Sequence, residues 1–269
     1  MSTYVCFFEF SLLRHMVEDI NTRTRQYYDR LMSERGEKYL ADRWQSEPVK
    51  RSHYAQTRRT IETFFSRVAG RPRRLLEIGC GPGTWSKICR ANADEVTLLD
   101  ISEEMLRIAR SRLGDNGFSY VCSDLLADGV KPTGDYHAVF SARALEYMRD
   151  KREAIRRIAG FLCSGGVAAV ITKNPAWGDK VADTLAGRMD EDRIQTDWIG
   201  WEQLAEYFRD AGFKDVAVWP AAIGSYRGLH RTRISAAWAN LRHTLMNGRP
   251  MRIGWDAPTE SYIITGKLA

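Results

Sequence analysis

The stretch that decides the fold is Arg74-Leu-Leu-Glu-Ile-Gly-Cys-Gly-Pro-Gly83. Its apolar first half predicts a short buried strand, and Thr84–Ala91 after it predicts a helix. Between them, Gly79, Gly81 and Gly83 stand at every second position. Glycine is needed where the backbone turns tightly or where a ligand lies against the main chain. Together these features predict the nucleotide-binding corner of a doubly wound α/β sheet.

Two further strands follow, each with an acidic residue at its end. Val96–Leu99 is apolar and is followed by Asp100, about 20 residues past the glycines, where a carboxylate can bind both hydroxyls of a ribose. Phe118–Cys122 predicts the next strand and is followed by Ser123-Asp124-Leu125. Ser102 is expected to cap the helix between them. Acids at the carboxyl ends of adjacent parallel strands are expected to face one site, although each can also serve as a turn residue.

The rest of the chain predicts further helices and strands. An amphipathic helix is predicted at Lys151–Leu162 and another at Trp198–Ala211. The further predicted strands are Tyr136–Phe140, Val167–Ile171, Lys214–Pro220 and Ser261–Gly266, which makes seven strands in all. The fold class is therefore α/β.

With Glu77 before it, the glycine turn reads E-x-G-x-G-x-G and resembles the first motif of class I S-adenosylmethionine-dependent methyltransferases. Leu145–Asp150 resembles the family's L-E-H-V-x-D stretch, and Ser164-Gly165-Gly166 resembles its L-x-P-G-G turn. Tyr147 stands where the family pattern has a histidine that serves as a general base in some members. This departure weakens the argument for base catalysis.

The resemblance implies a doubly wound, mostly parallel seven-stranded sheet whose last strand is antiparallel, with an N-terminal helical lid and a helical insertion before the last strand. The resemblance also implies S-adenosyl-L-methionine as the cofactor. It places Asp100 at the ribose hydroxyls and Asp124 at the adenine amino group. From the N-terminal helices, Tyr28 is expected at the methionine moiety, and Tyr54 or Arg58 at its carboxylate. The full set of expected cofactor-binding residues is Glu77, Gly79, Cys80, Gly81, Gly83, Trp85, Asp100, Ile101, Met105, Ser123, Asp124, Leu125, Ser141, Ala142, Tyr28, Tyr54 and Arg58.

Three residues are candidates for the catalytic step. Tyr147 is expected beside the transferred methyl group, and His230 and His243 are candidate bases because histidine titrates near neutral pH. Trp44 is a candidate wall of the acceptor site. The alternative is that the histidines and Trp44 serve only in packing.

Four segments are expected. Residues 1–70 are an N-terminal helical lid, 71–220 the cofactor-binding core, 221–257 a basic helical insertion, and 258–269 the last strand. The insertion carries several arginines and no acid before Asp256. A helix of this kind can close over an acidic acceptor, lie on anionic lipid, contact a partner, or simply pack on its own domain. Of the functional readings, an acceptor lid is preferred.

Bulk properties narrow the class of protein. The chain has 269 residues, 44% hydrophobic content and a formal net charge of +6. These values predict one globular α/β unit without a transmembrane segment, and permit an anionic ligand without requiring one. The five cysteines include no C-x-x-C pair and predict free thiols in a reducing, cytoplasmic setting. No residue pattern predicts a metal site. The apolar Tyr4–Leu13 stays without an assignment.

The leading hypothesis is methyl transfer to an oxygen or nitrogen of a small molecule, such as a specialised metabolite, a sugar or a lipid-like anionic compound. A nucleic-acid substrate is the alternative, but the D/N-P-P-Y/F motif of amino methylation is absent at Ser141-Ala142-Arg143. A non-catalytic, cofactor-binding regulatory subunit is the third reading. Assembly as a homodimer is compatible with the sequence and stays open.

Overall fold

The computed structural model describes residues 21–36, 38–127, 130, 133–177, 197–224, 233–251 and 259–269. Three helices come first in the described residues, and strands and helices then largely alternate along the chain. The helices are α1 (residues 21–35), α2 (Lys38–Trp44), α3 (Pro48–Phe64), α4 (Ser86–Asn92), α5 (Glu103–Leu113), α6 (Lys151–Phe161), α7 (Trp201–Asp210) and α8 (Arg233–Met246). The strands are β1 (Arg74–Ile78), β2 (Glu95–Asp100), β3 (Phe118–Cys122), β4 (Tyr136–Ala142), β5 (Leu162–Lys173), β6 (Phe213–Ile223) and β7 (Thr259–Leu268).

The seven strands form one sheet in the order β3-β2-β1-β4-β5-β7-β6. The β1–β2, β2–β3, β1–β4 and β4–β5 pairs are parallel, whereas β7 lies antiparallel between β5 and β6. The chain order reverses between β1 and β4, so the carboxyl ends of these two strands border a crevice where ligands of such sheets bind. The predicted fold class is confirmed.

Helices cover both faces of the sheet because neighbouring side chains of each strand point in opposite directions. On β1, Leu75 packs with Ile61 of α3 and Cys89 of α4. Leu76, the next residue, packs with Ile155 of α6 and Leu204 of α7 on the other face. The result is a three-layer arrangement with a hydrophobic core on each side of the sheet.

Local capping fixes where two of the helices begin. The Ser102 hydroxyl accepts a hydrogen bond from the Met105 N–H at the start of α5, as the sequence predicts. Asp150 does the same for the Glu153 N–H at the start of α6. Because α5 and α6 follow β2 and β4, these caps place the helix starts beside the ends of those strands.

Helix α3 and the residue after it pack on the sheet through Ile61, Phe64 and Phe65. The spacing of the apolar residues in Tyr54–Val68 predicts that Val68 belongs to the same buried stripe, but Val68 is 36% exposed. Residues Phe65–Ala69 form a π-helical turn after α3. Because such a turn adds a residue to the helix, it shifts the side chains that follow it.

Helix α8 lies in the predicted insertion and packs against α3 and β6. Its buried residues are Ser235, Ala236, Ala239 and His243. Its large apolar residues, Ile234, Trp238, Leu241 and Leu245, are exposed. The alternative that the insertion packs on its own domain therefore holds for the inner face of α8, whereas these four apolar residues do not take part in that packing. Leu229, which falls near the same face by helical spacing in the sequence, lies outside the described residues.

Four cysteines lie within the described part of the chain, and all four are free thiols, as predicted. The fifth cysteine, Cys6, and the apolar Tyr4–Leu13 lie outside it. None of the described helices combines the length and the apolar composition needed to cross a bilayer.

Candidate active site

The glycine turn joins β1 to α4 and lies against the ends of β2 and β4. The Gly79 N–H donates to the Leu99 carbonyl (2.7 Å), and Gly79, Gly81 and Gly83 all have positive φ. A Cβ on Gly79 would lie 2.2 Å from the Ala144 Cβ, so the turn has no room for a side chain there. Positive φ and close approach together explain why this turn requires glycine.

Asp100 lies at the end of β2 and is bound to the glycine turn. Its carboxylate accepts hydrogen bonds from the Gly81 N–H (2.8 Å) and the Ser102 N–H (3.0 Å). Burial raises the pKa of Asp100, although the Ser102 and Gly81 N–H groups oppose that rise. These bonds fix the carboxylate at the edge of the crevice.

Asp124 occupies the equivalent place after β3. One carboxylate oxygen accepts a hydrogen bond from the Leu126 N–H (2.9 Å). The other accepts from the side-chain amide of Asn21, at the start of the described part of α1. Asp124 therefore connects the sheet edge to the N-terminal helices.

A cleft with about 970 Å³ of empty space, part of it open to solvent, lies over this edge of the sheet. Both acids and most of the expected cofactor residues line it. The lining residues that the sequence predicts are Gly79, Cys80, Gly81, Trp85, Asp100, Ile101, Met105, Ser123, Asp124, Leu125, Ala142, Tyr28, Trp44 and Tyr147. The structure thus brings residues of α1, α2, β2, α5, β4 and the turns between the strands and helices to one site.

Three expected cofactor residues of the core do not line the cleft. Glu77 is buried below the turn against Ser86 and Cys89 of α4, and burial raises its pKa to about 8. A Cβ on Gly83 would meet Leu113 of α5 at 2.7 Å, so this glycine allows α5 to approach. Ser141 is buried within β4. Glu77, Gly83 and Ser141 therefore contribute to the packing around the cleft and do not line it.

Tyr54 and Arg58 of α3 also lie away from the cleft lining. The Tyr54 ring stacks on Trp85, with 4.9 Å between ring centroids, but Tyr54 itself does not line the cleft. Arg58 is exposed and forms an ion pair with Glu62 (2.9 Å) one turn further along α3. Because Arg58 points to solvent along its own helix, it does not reach the cleft.

The two candidate histidine bases are not brought to the site. His243 is buried between α8 and α3, with its Nε2 3.0 Å from the Thr60 hydroxyl. Burial lowers the pKa of His243 to about 4, with a smaller contribution from Arg59. His230 lies outside the described residues. The described part of the insertion contributes no residue to the cleft, so α8 itself does not line it, and the acceptor lid stays a prediction.

Helices α1 and α2 cover the cleft, and we call them the lid. Tyr28 of α1 meets Tyr147 edge to face, with ring centroids 5.5 Å apart. Arg43 of α2 donates to the Tyr39 hydroxyl (2.7 Å) and lies 5.5 Å from the Trp44 ring centroid. No carboxylate of the described residues forms an ion pair with Arg43. The lid therefore places a cation and several phenol hydroxyls at the cleft.

Tyr28 and Tyr147 keep their protons at neutral pH. Burial is the main cause of the raised pKa of both phenols. Among the described residues, no histidine lines the cleft. The described lining thus offers phenol hydrogen-bond donors and the Asp100 and Asp124 carboxylates, but no histidine base.

A buried group of charges lies beneath the lid, at the carboxyl ends of β4 and β5. Arg143 forms ion pairs with Glu146 (2.9 Å) and Glu260 (3.5 Å), and Lys173 pairs with Glu260 (2.8 Å). Burial alone would raise the pKa of Glu260, but Lys173 and Arg143 hold it well below its usual range. Arg143 lines the cleft with φ of 65°, a conformation that non-glycine residues adopt only when their surroundings impose it.

Sequence reasoning missed several cleft residues, namely Asn21, Thr24, Tyr39, Arg43 and Arg143. Arg143 carried a usable signal, because it directly follows β4 at the edge where ligands bind. Arg43 carried none, since α2 has only seven residues and buries no side chain that would reveal its orientation.

Comparison with known proteins matches this chain to methyltransferases in a family model, in related sequences and in solved structures. Residues 51–218 match the family model described as a methyltransferase domain. The malonyl-[acyl-carrier protein] O-methyltransferase of Pseudescherichia vulneris is 31% identical over 232 residues, which cover 81% of this chain and 88% of that protein. The trans-aconitate 2-methyltransferase of Rhodopseudomonas palustris is 32% identical over 133 residues, covering 49% of this chain and 50% of that protein.

The chain spans about half the length of the first curated relatives that it matches. Among solved structures, the magnesium protoporphyrin IX methyltransferase of Synechocystis, with bound SAH, superposes with a TM-score of 0.61 at 16% identity. That superposition covers 92% of this chain and 99% of the other. At this identity the likeness concerns the fold.

Proposed function

The chain belongs to the class I S-adenosylmethionine-dependent methyltransferases, and from this premise we propose that it methylates a carboxylate oxygen of a small anionic acceptor. The observation that carries the proposal is Arg43, a cation at the cleft that pairs with no carboxylate of the described residues. A cation in such a place is stabilised by a bound anion, which it holds in a fixed orientation.

The residues around the glycine turn fit S-adenosylmethionine, the cofactor of the family. Asp100 and Asp124 present carboxylate oxygens that suit ribose hydroxyls and an adenine amino group. Met105 and Leu125 are buried apolar side chains at the same wall and suit the faces of a flat ring. The glycine turn leaves its backbone open to the methionine end of the ligand.

The cofactor supplies a methyl group that its sulfonium already activates, so the protein mainly has to align the acceptor with it. Alignment of two reacting groups contributes about 7 to 11 kcal/mol of avoided entropy cost. Tyr28 of the lid packs edge to face against Tyr147, and Arg43, also of the lid, lies beside them. In the proposal these three side chains orient the acceptor carboxylate.

A carboxylate acceptor also explains why no histidine base is found among the described lining residues. Carboxylic acids ionise near pH 4, so the acceptor oxygen already carries its charge at neutral pH. A neutral alcohol would need a base to remove its proton during transfer. The phenols of Tyr28 and Tyr147 cannot serve in that role because their raised pKa values keep them protonated.

The names of two relatives support the same acceptor class. One denotes an O-methyltransferase of a malonyl group, and the other a methyltransferase of trans-aconitate. Each of these substrates carries a free carboxylate. The proposal takes from the relatives only this shared chemistry and leaves the identity of the acceptor to experiment.

The test uses S-adenosylmethionine labelled in its methyl group and the small-molecule fraction of a cell extract. Methyl esters hydrolyse in mild base, whereas N-methyl, C-methyl and ether groups do not. We expect label to enter small molecules and to leave as volatile methanol after base treatment. Label that resists base, or label recovered in RNA, would overturn the proposed acceptor class.

A variant pair tests the role of Arg43. Arg43→Gln removes one charged hydrogen-bonding group, so we expect kcat/KM for the acceptor to fall about 10- to 100-fold. Cofactor Kd should change less than about threefold. The matched control is Arg35→Gln, since Arg35 is an exposed lid arginine that pairs with Asp42. Parallel loss of cofactor affinity in Arg43→Gln would instead place Arg43 at the cofactor's own carboxylate.

A further inference from the structure

Helix α8 exposes its large apolar residues and buries its small or polar ones, which is the opposite of the usual orientation of an amphipathic helix. Its inward residues are small or polar, whereas Ile234 is 73% exposed and Trp238 is 62% exposed. Leu241 and Leu245 are 51% and 57% exposed. The spacing of these four residues is four, three and four, which puts them in one row along the helix. We call this row the α8 apolar stripe.

The stripe cannot turn inward, because the opposite face of α8 is bound to α3. The Ser52 hydroxyl donates to the Asn240 side chain (3.0 Å), and Thr60 is hydrogen-bonded to His243 (3.0 Å). Ala236 and Ala239 let the two helices approach closely. The exposure of the stripe is therefore fixed by the polar contacts of the inner face.

The surroundings of the stripe are positively charged. Residues 233–251 contain Arg233, Arg242 and Arg249 and no acidic residue. Arg59 of α3 donates a hydrogen bond to the Thr244 hydroxyl of α8 (3.4 Å). Arg67 of the π-helical turn donates to the Gly248 carbonyl, just after α8 (3.3 Å). The nearby acid Glu62 is already paired with Arg58. Large apolar side chains are thus bordered by cations.

We propose that the α8 apolar stripe and its arginines bind the surface of an anionic lipid bilayer. A basic helix with tryptophan and leucine on its apolar face lies in the plane of such an interface. The apolar side chains enter the acyl boundary, and the cations remain at the headgroups. This binding surface lies outside the cleft, since α8 contributes no lining residue to it.

Charge argues against a second copy of the chain as the occupant. In a two-fold contact the same patch occurs on both subunits, so the arginines around one stripe would face those around the other. Like charges brought together at an interface cost free energy.

The test measures co-sedimentation of the full chain with two kinds of vesicle. One contains phosphatidylcholine alone, and the other contains equal parts of phosphatidylcholine and phosphatidylglycerol. We expect binding to the anionic vesicles only. A rise from about 0.1 M to about 0.5 M salt should weaken that binding about tenfold, because salt screens the arginines.

The double variant Trp238→Ser with Leu241→Ser should lower binding to the anionic vesicles at least about tenfold. Both residues are exposed, so its thermal midpoint and cofactor affinity should match those of the wild type. The control is Val121→Ser, an exposed apolar residue 39% accessible on the edge strand β3, at the opposite end of the sheet. This control should bind vesicles like the wild type.

Three outcomes would overturn the proposal. One is equal binding of the wild type and the double variant to anionic vesicles. Another is no sedimentation of the wild type with either kind of vesicle. The third is a dimer, seen by light scattering without lipid, that the double variant disperses, because that result assigns the stripe to a second copy. Since none of these readouts uses methyl transfer, they are independent of the proposed function.

Discussion

Asp100 is the side chain on which we expect cofactor affinity to depend most. Its carboxylate is held by two backbone N–H groups and borders the cleft. Asp100→Asn keeps the shape but removes the charge that strengthens hydrogen bonds to hydroxyls. We therefore expect the Kd for S-adenosylhomocysteine, measured by calorimetry, to rise about 10- to 100-fold.

Glu77→Gln is the matched control, since Glu77 also belongs to the sequence motif but lies behind the turn. Its carboxyl contacts Ser86 and Cys89 rather than the cleft. Cofactor Kd should stay within about threefold of the wild type. A loss as large as that of Asp100→Asn would show that the turn transmits the change at Glu77 to the ligand.

His243 predicts a specific dependence of stability on pH. Its folded-state pKa is about 4, whereas an unfolded chain has a histidine pKa of about 6.5. Between these two values the unfolded state binds more protons, so the free energy of unfolding falls as the pH falls. Over this window the loss due to His243 amounts to about 2 to 3 kcal/mol.

His243→Gln removes that titration, so its stability should fall less than that of the wild type between about pH 7 and pH 4.5. Urea denaturation at the two pH values measures the difference. His137→Gln serves as the control, because His137 is exposed on β4. If His243→Gln and the wild type lose equal stability, His243 is not held neutral by burial.

At the scale of single elements, the join between β1 and α4 requires its first glycine for two separable reasons. Gly79 and Gly114 both have positive φ, but a Cβ at Gly114 meets nothing within 4 Å. Gly114 has φ of 72° and ψ of −170°, a region that only glycine adopts readily, so Gly114→Ala should cost about 1 to 3 kcal/mol of backbone strain. Gly79→Ala adds the clash with Ala144 and should cost about 1 to 3 kcal/mol more.

Thermal denaturation of the two alanine variants side by side measures this difference. Gly79→Ala should have the lower midpoint, and its cofactor affinity should fall as well because the turn must shift. Equal midpoints would mean that Ala144 moves aside without cost. Comparison of the two variants thus separates the cost of a positive φ from the cost of the clash with Ala144.

Elements of the sheet are predictable from the sequence because each buried parallel strand is a short apolar run bounded by turn residues. β1 and β3 have the predicted bounds, and β2 and β4 differ only by one or two residues at their ends. Asp100 and Asp124 follow from the same logic, since residues after the strand ends must meet at one edge.

The orientation of isolated helices is not predictable in this way. The α8 pattern identifies an apolar face, but the polar contacts of Ser52 and Thr60 decide which face turns inward. Arg43 and Tyr39 reach the cleft only because α2 lies across it. His243 illustrates the converse, since a residue type suited to catalysis is buried as a packing and hydrogen-bonding group.

At the scale of the whole molecule, ligand binding should stabilise the core and the lid together. At a hundredfold excess over Kd, a ligand that binds only the folded state adds about 2.7 kcal/mol. For a chain of this size we expect S-adenosylhomocysteine to raise the melting temperature by about 5 to 10 °C. Asp100→Asn should show a much smaller rise at the same concentration.

Hydrogen exchange locates this stabilisation along the chain. The peptides of α1 and α2 should gain protection when ligand binds, because Tyr28 and Arg43 lie over the cleft. Peptides of α7, which lines no part of the cleft, provide the internal control. Protection spread equally over α7 and the lid would indicate a general effect on folding rather than closure at the site.

The two hydrogen bonds that hold α1 have a kinetic consequence. Asn21 donates to Asp124, and the Ser102 hydroxyl donates to Asp29, so α1 is tied to the residues that border the expected adenosine position. Because α1 lies over that position, we expect α1 to open when the nucleoside enters or leaves and to be closed when the acceptor binds. Steady-state turnover is thus expected to be ordered, with S-adenosylhomocysteine released last, competitive towards S-adenosylmethionine and noncompetitive towards the acceptor.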